Sequence, residues 1–158
     1  MLASSLHSNK LKPEIHQNLK KDKVIPAEVF TKIRRVTQED LDENNHVNNV
    51  RYVEWIQDIA KEHWDTRASS DLKETYFWVV IRYEIDYKKE ALLGDEILVE
   101  TFVGDTTFVT SDRFINIKNK KTGDLLVAAK SNWCLMDMAT KRPTKITDEL
   151  RGVFHKRS

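Results

Sequence analysis

The chain has 158 residues, with 26 Lys and Arg against 25 Asp and Glu, and it contains a single cysteine. This length fits one compact domain, with or without a tail, and excludes two full domains. The net charge of +1 argues against a general nucleic-acid binder, because neutralising phosphates requires a concentrated excess of basic side chains.

Neither a membrane span nor a secretory signal is predicted. The longest purely apolar runs, at residues 77–81 and 125–129, are far shorter than the roughly 20 residues of a transmembrane helix. The first ten residues lack the basic start and apolar centre of a signal peptide. One cysteine forms neither an intramolecular disulfide nor a cysteine-rich zinc site. We therefore expect a soluble, cytoplasmic protein without a membrane partner.

The sequence divides into a basic N-terminal extension, residues 1–26, and a single domain, residues 27–158. The extension carries five Lys against two acidic residues. Leu11, Ile15 and Leu19 have helical spacing, but Pro13 interrupts that thin apolar stripe. A basic extension is therefore favoured over a docking helix.

The domain begins with one predicted strand and one predicted helix. Residues 28–36 alternate as in a strand that is half exposed to solvent. After a polar segment, a stripe of buried-type residues recurs at helical spacing: Tyr52, Trp55, Ile56, Ile59, Ala60 and His63. We expect a central helix buried on that face, with His63 as a hydrogen-bonded core residue. A loop is predicted at residues 66–73.

The rest of the domain has the period-two alternation of β-strands. Four further strands are predicted, at residues 83–87, 97–103, 108–118 and 125–138. Turn signals lie at Gly94-Asp95 and at Gly123. Thr147 is the predicted N-cap of a short terminal helix with three inward-facing residues: Leu150, Val153 and Phe154. This order predicts an α+β hot-dog fold, in which an antiparallel sheet wraps around one long central helix.

The polar segment before the helix, residues 40–49, is the candidate site. Helix capping explains part of it, since Asn48 or Asn49 can accept hydrogen bonds from the first-turn N–H groups. Capping does not explain three polar residues at alternate positions: Asp42, Asn44 and His46. A carboxylate, an amide and an imidazole beside free backbone donors also suit a reaction site. Composition alone leaves both interpretations open.

A family resemblance is carried by the stretch DLDENNHVNNVRYVEWI, which starts at Asp40. It resembles the catalytic segment of plant and bacterial fatty acyl-ACP thioesterases, where a DxNxH motif precedes VNN and a helix. The three motif positions are held by Asp42, Asn44 and His46. A second segment, Tyr87-Lys88-Lys89-Glu90-Ala91, is similar to the family's tyrosine, two basic residues, glutamate and cysteine. Glu90 takes the position of the catalytic glutamate, and Ala91 replaces the cysteine.

The resemblance implies hydrolysis of acyl thioesters, with acyl-ACP or acyl-CoA as substrate and no metal or other cofactor. Thioester hydrolysis requires an activated water and preplaced donors for the oxyanion. Glu90 is the predicted general base. The first N–H groups of the helix are the predicted oxyanion donors, at Asn48, Asn49 and Val50.

The remaining motif residues have expected roles around that reaction. Asp42 either orients its neighbours or attacks the carbonyl itself, and the sequence does not separate the two routes. His46 is expected to polarise the carbonyl or to pass a proton to the departing thiolate, and Asn44 to add a donor or position water. A cysteine nucleophile is not expected, because Cys134, the only thiol, is predicted to be buried in a strand.

The resemblance also bears on assembly. Plant members of the family have two hot-dog domains, whereas this chain has length for one. A single sheet leaves one edge and a flank of the helix uncovered, so we expect a homodimer or a homotetramer.

Two other functions stay open. A hot-dog hydratase or dehydratase also places Asp, Asn and His near such a loop, although here the motif runs directly into VNN and the long helix, as in thioesterases. Replacement of the family cysteine by Ala91 leaves open a non-catalytic binder of acyl ligands or carrier proteins.

Four tryptophans are predicted to be core residues, some of them lining an acyl channel: Trp55, Trp64, Trp78 and Trp133.

Overall fold

The computed structural model describes residues 27–156, so the predicted basic extension, residues 1–26, lies outside the described residues. The described part of the chain forms five strands, three α-helices and a 3-10 turn. The strands are β1 (Phe30–Arg35), β2 (Tyr76–Tyr87), β3 (Glu96–Thr106), β4 (Thr110–Asn119) and β5 (Leu125–Asp137). The helices are α1 (Asn49–Arg67), α2 (Ser70–Thr75) and α3 (Asp148–Gly152), and the 3-10 turn is Gln38–Asp40. Apart from α2 and the 3-10 turn, this succession is the predicted one, although β2 begins at Tyr76 and not at the predicted residue 83.

The five strands form one antiparallel sheet in the order β1-β3-β4-β5-β2. The central strands β3, β4 and β5 follow one another in sequence and are joined by short turns. In the turn between β4 and β5, Gly123 has a φ of 77°, a left-handed value that glycine adopts readily. The edges of the sheet are β1 and β2, which are paired on one side within the described chain.

Helix α1 packs its predicted face against the sheet. All six residues of the predicted stripe are buried: Tyr52, Trp55, Ile56, Ile59, Ala60 and His63. Four of them, Tyr52, Trp55, Ile56 and Ile59, share a core with inward-facing residues of the central strands, among them Ile97, Val99, Ile115, Ile117 and Val127. Burial of each large aliphatic side chain contributes about 1.5–3 kcal/mol, so apolar contact holds the helix in place. The predicted α+β arrangement of one sheet and one central helix is confirmed.

The C-terminal segment closes the core near the end of α1. The hydroxyl of Thr147 accepts a hydrogen bond from the N–H of Leu150 at 3.3 Å, which confirms the predicted cap. Leu150, Val153 and Phe154 are buried, as predicted. Helix α3 itself ends at Gly152, earlier than expected.

The loop predicted at residues 66–73 is wrong in its extent. Helix α1 continues to Arg67, and α2 begins at Ser70, where the hydroxyl of Ser69 accepts a hydrogen bond from the N–H of Leu72 at 3.2 Å. Leu72 is the buried residue of this six-residue helix. One buried leucine gives no periodic stripe, so periodicity could not reveal α2.

The outer surface of α1 is charged. Lys32 of β1 contacts Glu62, and Arg34 lies 3.0 Å from Asp58, measured from Nη2 to Oδ2.

None of the helices in residues 27–156 is both long and apolar enough to cross a lipid bilayer.

Candidate active site

The Asp42 carboxylate shapes the loop that leads into α1. Its Oδ1 accepts hydrogen bonds from the N–H of Asn44 at 2.9 Å and from the N–H of His46 at 3.1 Å. The N–H of Asp42 donates to the carbonyl of His46 at 2.7 Å. Asn45 sits at the tip with a φ of 60°, a left-handed conformation that asparagine tolerates better than most residues. Asp42 therefore fixes the backbone on which His46 is mounted.

Asn48 is the N-cap of α1, which confirms one of the two predicted alternatives. Its side-chain oxygen accepts a hydrogen bond from the N–H of Val50 at 3.0 Å, and its own N–H donates to the carbonyl of Asp40 at 2.9 Å. Two of the three predicted oxyanion donors are thus already engaged. Within the described chain, Asn49 is the remaining one, since its N–H donates to no protein acceptor. Of the three predicted oxyanion donors, the N–H of Asn49 is therefore the one that is not engaged within the described chain.

Glu90 is held next to this loop by contacts on both of its sides. The N–H groups of Lys88 and Lys89 both donate to the carbonyl of Leu126, at 2.8 and 3.1 Å. On the other side, the N–H of Ala91 donates to the hydroxyl of Tyr52 at 3.3 Å. The short segment after β2 is therefore tied to β5 and to α1 at once.

The carboxylate of Glu90 contacts Nδ1 of His46. Both side chains remain open to solvent, with 58% of His46 and 39% of Glu90 exposed. A carboxylate on one imidazole nitrogen leaves the other nitrogen facing away from it, available to a further hydrogen-bond partner.

An open cleft of about 440 Å³ lies at the N-terminal end of α1. It brings together five of the predicted site residues: Asp42, His46, Asn48, Asn49 and Glu90. The Asn44 side chain is exposed and does not line the cleft, so its observed contribution is the N–H given to Asp42. Lys88 and Lys89 add positive charge at the rim.

Two tyrosines also line the cleft and were not predicted as site residues. The sequence pattern assigns Tyr52 only to the buried face of the helix, and it places Tyr87 only in a motif. Tyr52 and Tyr87 make an edge-on ring contact with centroids 5.7 Å apart. Burial raises the pKa of Tyr52, which keeps its hydroxyl protonated. The position of Tyr52 at the first turn of the helix was the available signal.

Neither Ala91, which holds the position of the family cysteine, nor Cys134 lines the cleft. Ala91 is fully buried, and Cys134 is buried in β5 and does not line the cleft. The predicted structural position of Cys134 is confirmed.

Residues 27–154 match the family model described as the acyl-ACP thioesterase N-terminal domain. Among curated proteins, the chloroplastic palmitoyl-acyl carrier protein thioesterase of Gossypium hirsutum is 32% identical over 80 residues. That alignment covers 51% of this chain and 19% of the cotton protein. The chain therefore spans about one fifth of the length of that relative.

Solved thioesterase structures share the fold. A putative oleoyl thioesterase from Lactobacillus plantarum superposes with a TM-score of 0.73 at 18% identity, covering 81% of this chain and 51% of that one. A 1,4-dihydroxy-2-naphthoyl-CoA thioesterase from Synechocystis gives 0.70 at 14% identity, covering 80% and 96%. The predicted hot-dog fold is confirmed by these matches.

Proposed function

The chain belongs to the acyl-ACP thioesterase family, and we propose that it hydrolyses acyl thioesters at the cleft beside the start of α1. The observation that carries this proposal is the contact between Glu90 and His46, two residues from separate segments of the chain that meet at an open cleft. A carboxylate next to an imidazole supplies the proton acceptor and the proton donor that acyl transfer to water requires.

In the proposed reaction, Glu90 accepts a proton from a water molecule as that water attacks the thioester carbonyl carbon. The carbonyl π electrons move onto oxygen, and the N–H of Asn49 donates to the resulting oxyanion. When the tetrahedral intermediate collapses, the C–S bond breaks and the electron pair leaves with sulfur. His46 protonates the thiolate, and the proton held by Glu90 returns to His46. The products are a free acid and a free thiol.

We assign Asp42 the orienting role and not the nucleophilic one. Its Oδ1 already accepts two backbone N–H groups, which lowers its nucleophilicity and fixes its direction.

The proposed substrates are acyl groups carried on a phosphopantetheine arm, as in acyl carrier protein or CoA. Lys88 and Lys89 at the rim can meet the phosphate of that arm. The named relatives use both carriers, since the cotton protein is a carrier-protein thioesterase and the Synechocystis protein a CoA thioesterase. We propose a cytoplasmic location as the expected compartment for such a chain.

We further propose that two copies pair, as a homodimer or as a dimer of dimers. The long edge strand β2 has one side unpaired within the described chain, and it exposes Val79 and Ile81. An edge strand of this length with exposed apolar residues favours association. Sedimentation at micromolar concentration should reveal no appreciable monomer, and a stable, active monomer would contradict the pairing.

The function is tested by release of free thiol from a panel of acyl-CoA and acyl-ACP esters, read with a thiol reagent. Hydrolysis should liberate one thiol and one acid per turnover. A hydratase or dehydratase would consume an enoyl or hydroxyacyl thioester without releasing thiol, and a binder would do neither. Absence of thiol release across the whole panel would overturn the proposal.

A further inference from the structure

A second cavity lies at the other half of α1 and shares no lining residue with the cleft. It has a volume of about 390 Å³, within the range of roughly 300–1,000 Å³ that is typical of ligand pockets. Aromatic side chains dominate its wall: Trp64, Phe77, Trp78, Trp133 and Phe154. Such a wall favours an apolar ligand body.

The same wall contains a buried cation. Arg113 of β4 lines the cavity and is 5% exposed. Its Nη1 donates to Nδ1 of His63 at 2.9 Å and to the hydroxyl of Thr101 at 3.1 Å. Its guanidinium also lies 4.8 Å from the centre of the Phe154 ring. None of these partners carries a negative charge, so they orient the guanidinium without neutralising it.

The nearby carboxylate does not balance this charge. The other ring nitrogen of His63, Nε2, lies 2.9 Å from the carboxylate of Glu28. The same carboxylate also accepts a hydrogen bond from Nε of Arg67 at 2.8 Å. Burial, followed by the charge of Arg113, lowers the pKa of His63 to about 4, so the imidazole is neutral at pH 7. Glu28 is therefore already engaged by His63 and by Arg67. Among the described residues, no carboxylate lies within ion-pair distance of Arg113.

A buried positive charge without a direct counter-charge is costly, and an incoming anion relieves that cost. The indole N–H of Trp78, a residue that also lines the cavity, is buried without a hydrogen-bond partner in the described structure. The guanidinium favours an acceptor that carries negative charge, and the indole N–H favours an acceptor of any charge. The aromatic wall calls for an apolar body attached to it.

We propose that this cavity binds a free medium-chain carboxylic acid, whose carboxylate accepts hydrogen bonds from Arg113 and whose chain packs against the aromatic wall. Exposed residues of α1, including Gln57 and Lys61, form part of the rim. Two acidic residues also stand at the rim, Asp58 and Asp65, and Asp58 is paired with Arg34. The site is separate from the thioester cleft and does not depend on the proposed hydrolysis.

The test is a titration of the full-length protein with decanoate and with 1-decanol, read by tryptophan fluorescence below the micelle concentration. Three of the four tryptophans line the cavity: Trp64, Trp78 and Trp133. A charge-assisted hydrogen bond contributes about 1.5–3 kcal/mol, so decanoate should bind roughly 10-fold to 100-fold more tightly than the alcohol. Equal affinities, or no fluorescence change with either compound, would overturn the proposal.

Two variants locate the effect. Arg113→Leu should remove the preference for decanoate, whereas Arg82→Leu, which deletes an exposed arginine on β2, should retain it. Preference retained in Arg113→Leu would overturn the assignment to Arg113. Circular dichroism establishes that each variant is folded.

If Arg113→Leu does not fold, Trp78→Phe replaces it and removes the indole N–H together with part of the aromatic ring system. The smaller ring affects both compounds, so decanoate binding should weaken by up to about 10-fold more than decanol binding. An equal loss for both compounds would count against a carboxylate at this wall. Because decanoate is not a thioester, these results are independent of whether the cleft hydrolyses thioesters.

Discussion

Two histidine–glutamate pairs flank the same helix, and burial gives them different properties. His46 and Glu90 meet at the N-terminal end of α1, where both are open to solvent. His63 and Glu28 meet farther along the helix, where His63 is fully buried and Glu28 is also bound to Arg67. Residue type alone does not distinguish the exposed pair from the buried one.

The difference lies in what each pair can still do. His63 has both ring nitrogens engaged, Nδ1 by Arg113 and Nε2 by Glu28, so neither is available to a substrate. Hydrogen bonding to Arg67 is the main cause that lowers the pKa of Glu28 and keeps it ionised. The exposed pair borders a cleft and retains a free imidazole nitrogen. We therefore expect substitutions in the exposed pair to change turnover and substitutions in the buried pair to change stability.

The largest expected effect is on turnover in Glu90→Gln. Loss of the general base should lower kcat by roughly 10²-fold to 10⁴-fold and leave the unfolding midpoint nearly unchanged, because Glu90 is partly exposed. Steady-state thiol release and urea denaturation measure the two quantities. Glu84→Gln is the matched control, since Glu84 is an exposed, ion-paired glutamate of β2 outside the cleft. Near-wild-type kcat in Glu90→Gln would remove Glu90 from the mechanism.

The second effect is a loss of stability on acidification, caused by His63. Its pKa is about 4 in the folded protein against 6.5 in the unfolded chain, so the unfolded state binds more protons between these values. The contribution of neutral His63 to the free energy of unfolding is fully present above pH 6.5. It falls by on the order of 3 kcal/mol as the pH drops toward 4. Urea unfolding at a series of pH values measures it. Below pH 4.5, protonation of Glu28 adds a further loss.

The two histidines can be compared directly in this experiment. His63→Gln should flatten the decline between pH 6.5 and 4, and His46→Gln should retain it. If the decline disappeared in His46→Gln, its cause would be the exposed histidine, and the contrast between the two pairs would be wrong.

A smaller effect is expected for Glu28→Gln. This change keeps the shape of the side chain but removes the carboxylate that binds His63 and Arg67. Loss of charge-assisted hydrogen bonds should lower the free energy of unfolding by about 2 kcal/mol, with kcat unchanged at a temperature where the variant is folded. Thermal denaturation and thiol release provide the measurements. An unchanged midpoint would mean that the buried pair does not stabilise the fold.

The smallest effect is expected for Asp42→Asn. Asparagine retains a side-chain oxygen that can accept the N–H groups of Asn44 and His46, so an orienting residue should lose less than about 10-fold in kcat. A nucleophilic carboxylate would instead lose several orders of magnitude. Asp42→Ala, which removes the acceptor, should be more impaired than Asp42→Asn.

Local periodicity predicted most of the fold. The buried stripe of α1, the central strands and the Thr147 cap all depend on residues close together in sequence. Helix α2 was missed because its one buried residue, Leu72, gives no pattern until it meets its tertiary neighbours. The site was predicted in part, since the resemblance named Asp42, His46 and Glu90 but could not show how they are arranged.

The sequence by itself determined which segments become strands and helices, because alternation and helical spacing decide which faces can be buried. Only the tertiary structure decided which polar groups remain available. It engaged the N–H groups of Asn48 and Val50 in the helix cap, and it enclosed His63 while leaving His46 in solvent. Burial and hydrogen-bond pairing depend on residues far apart in the chain, and they separate an imidazole that is open to solvent from one that is enclosed.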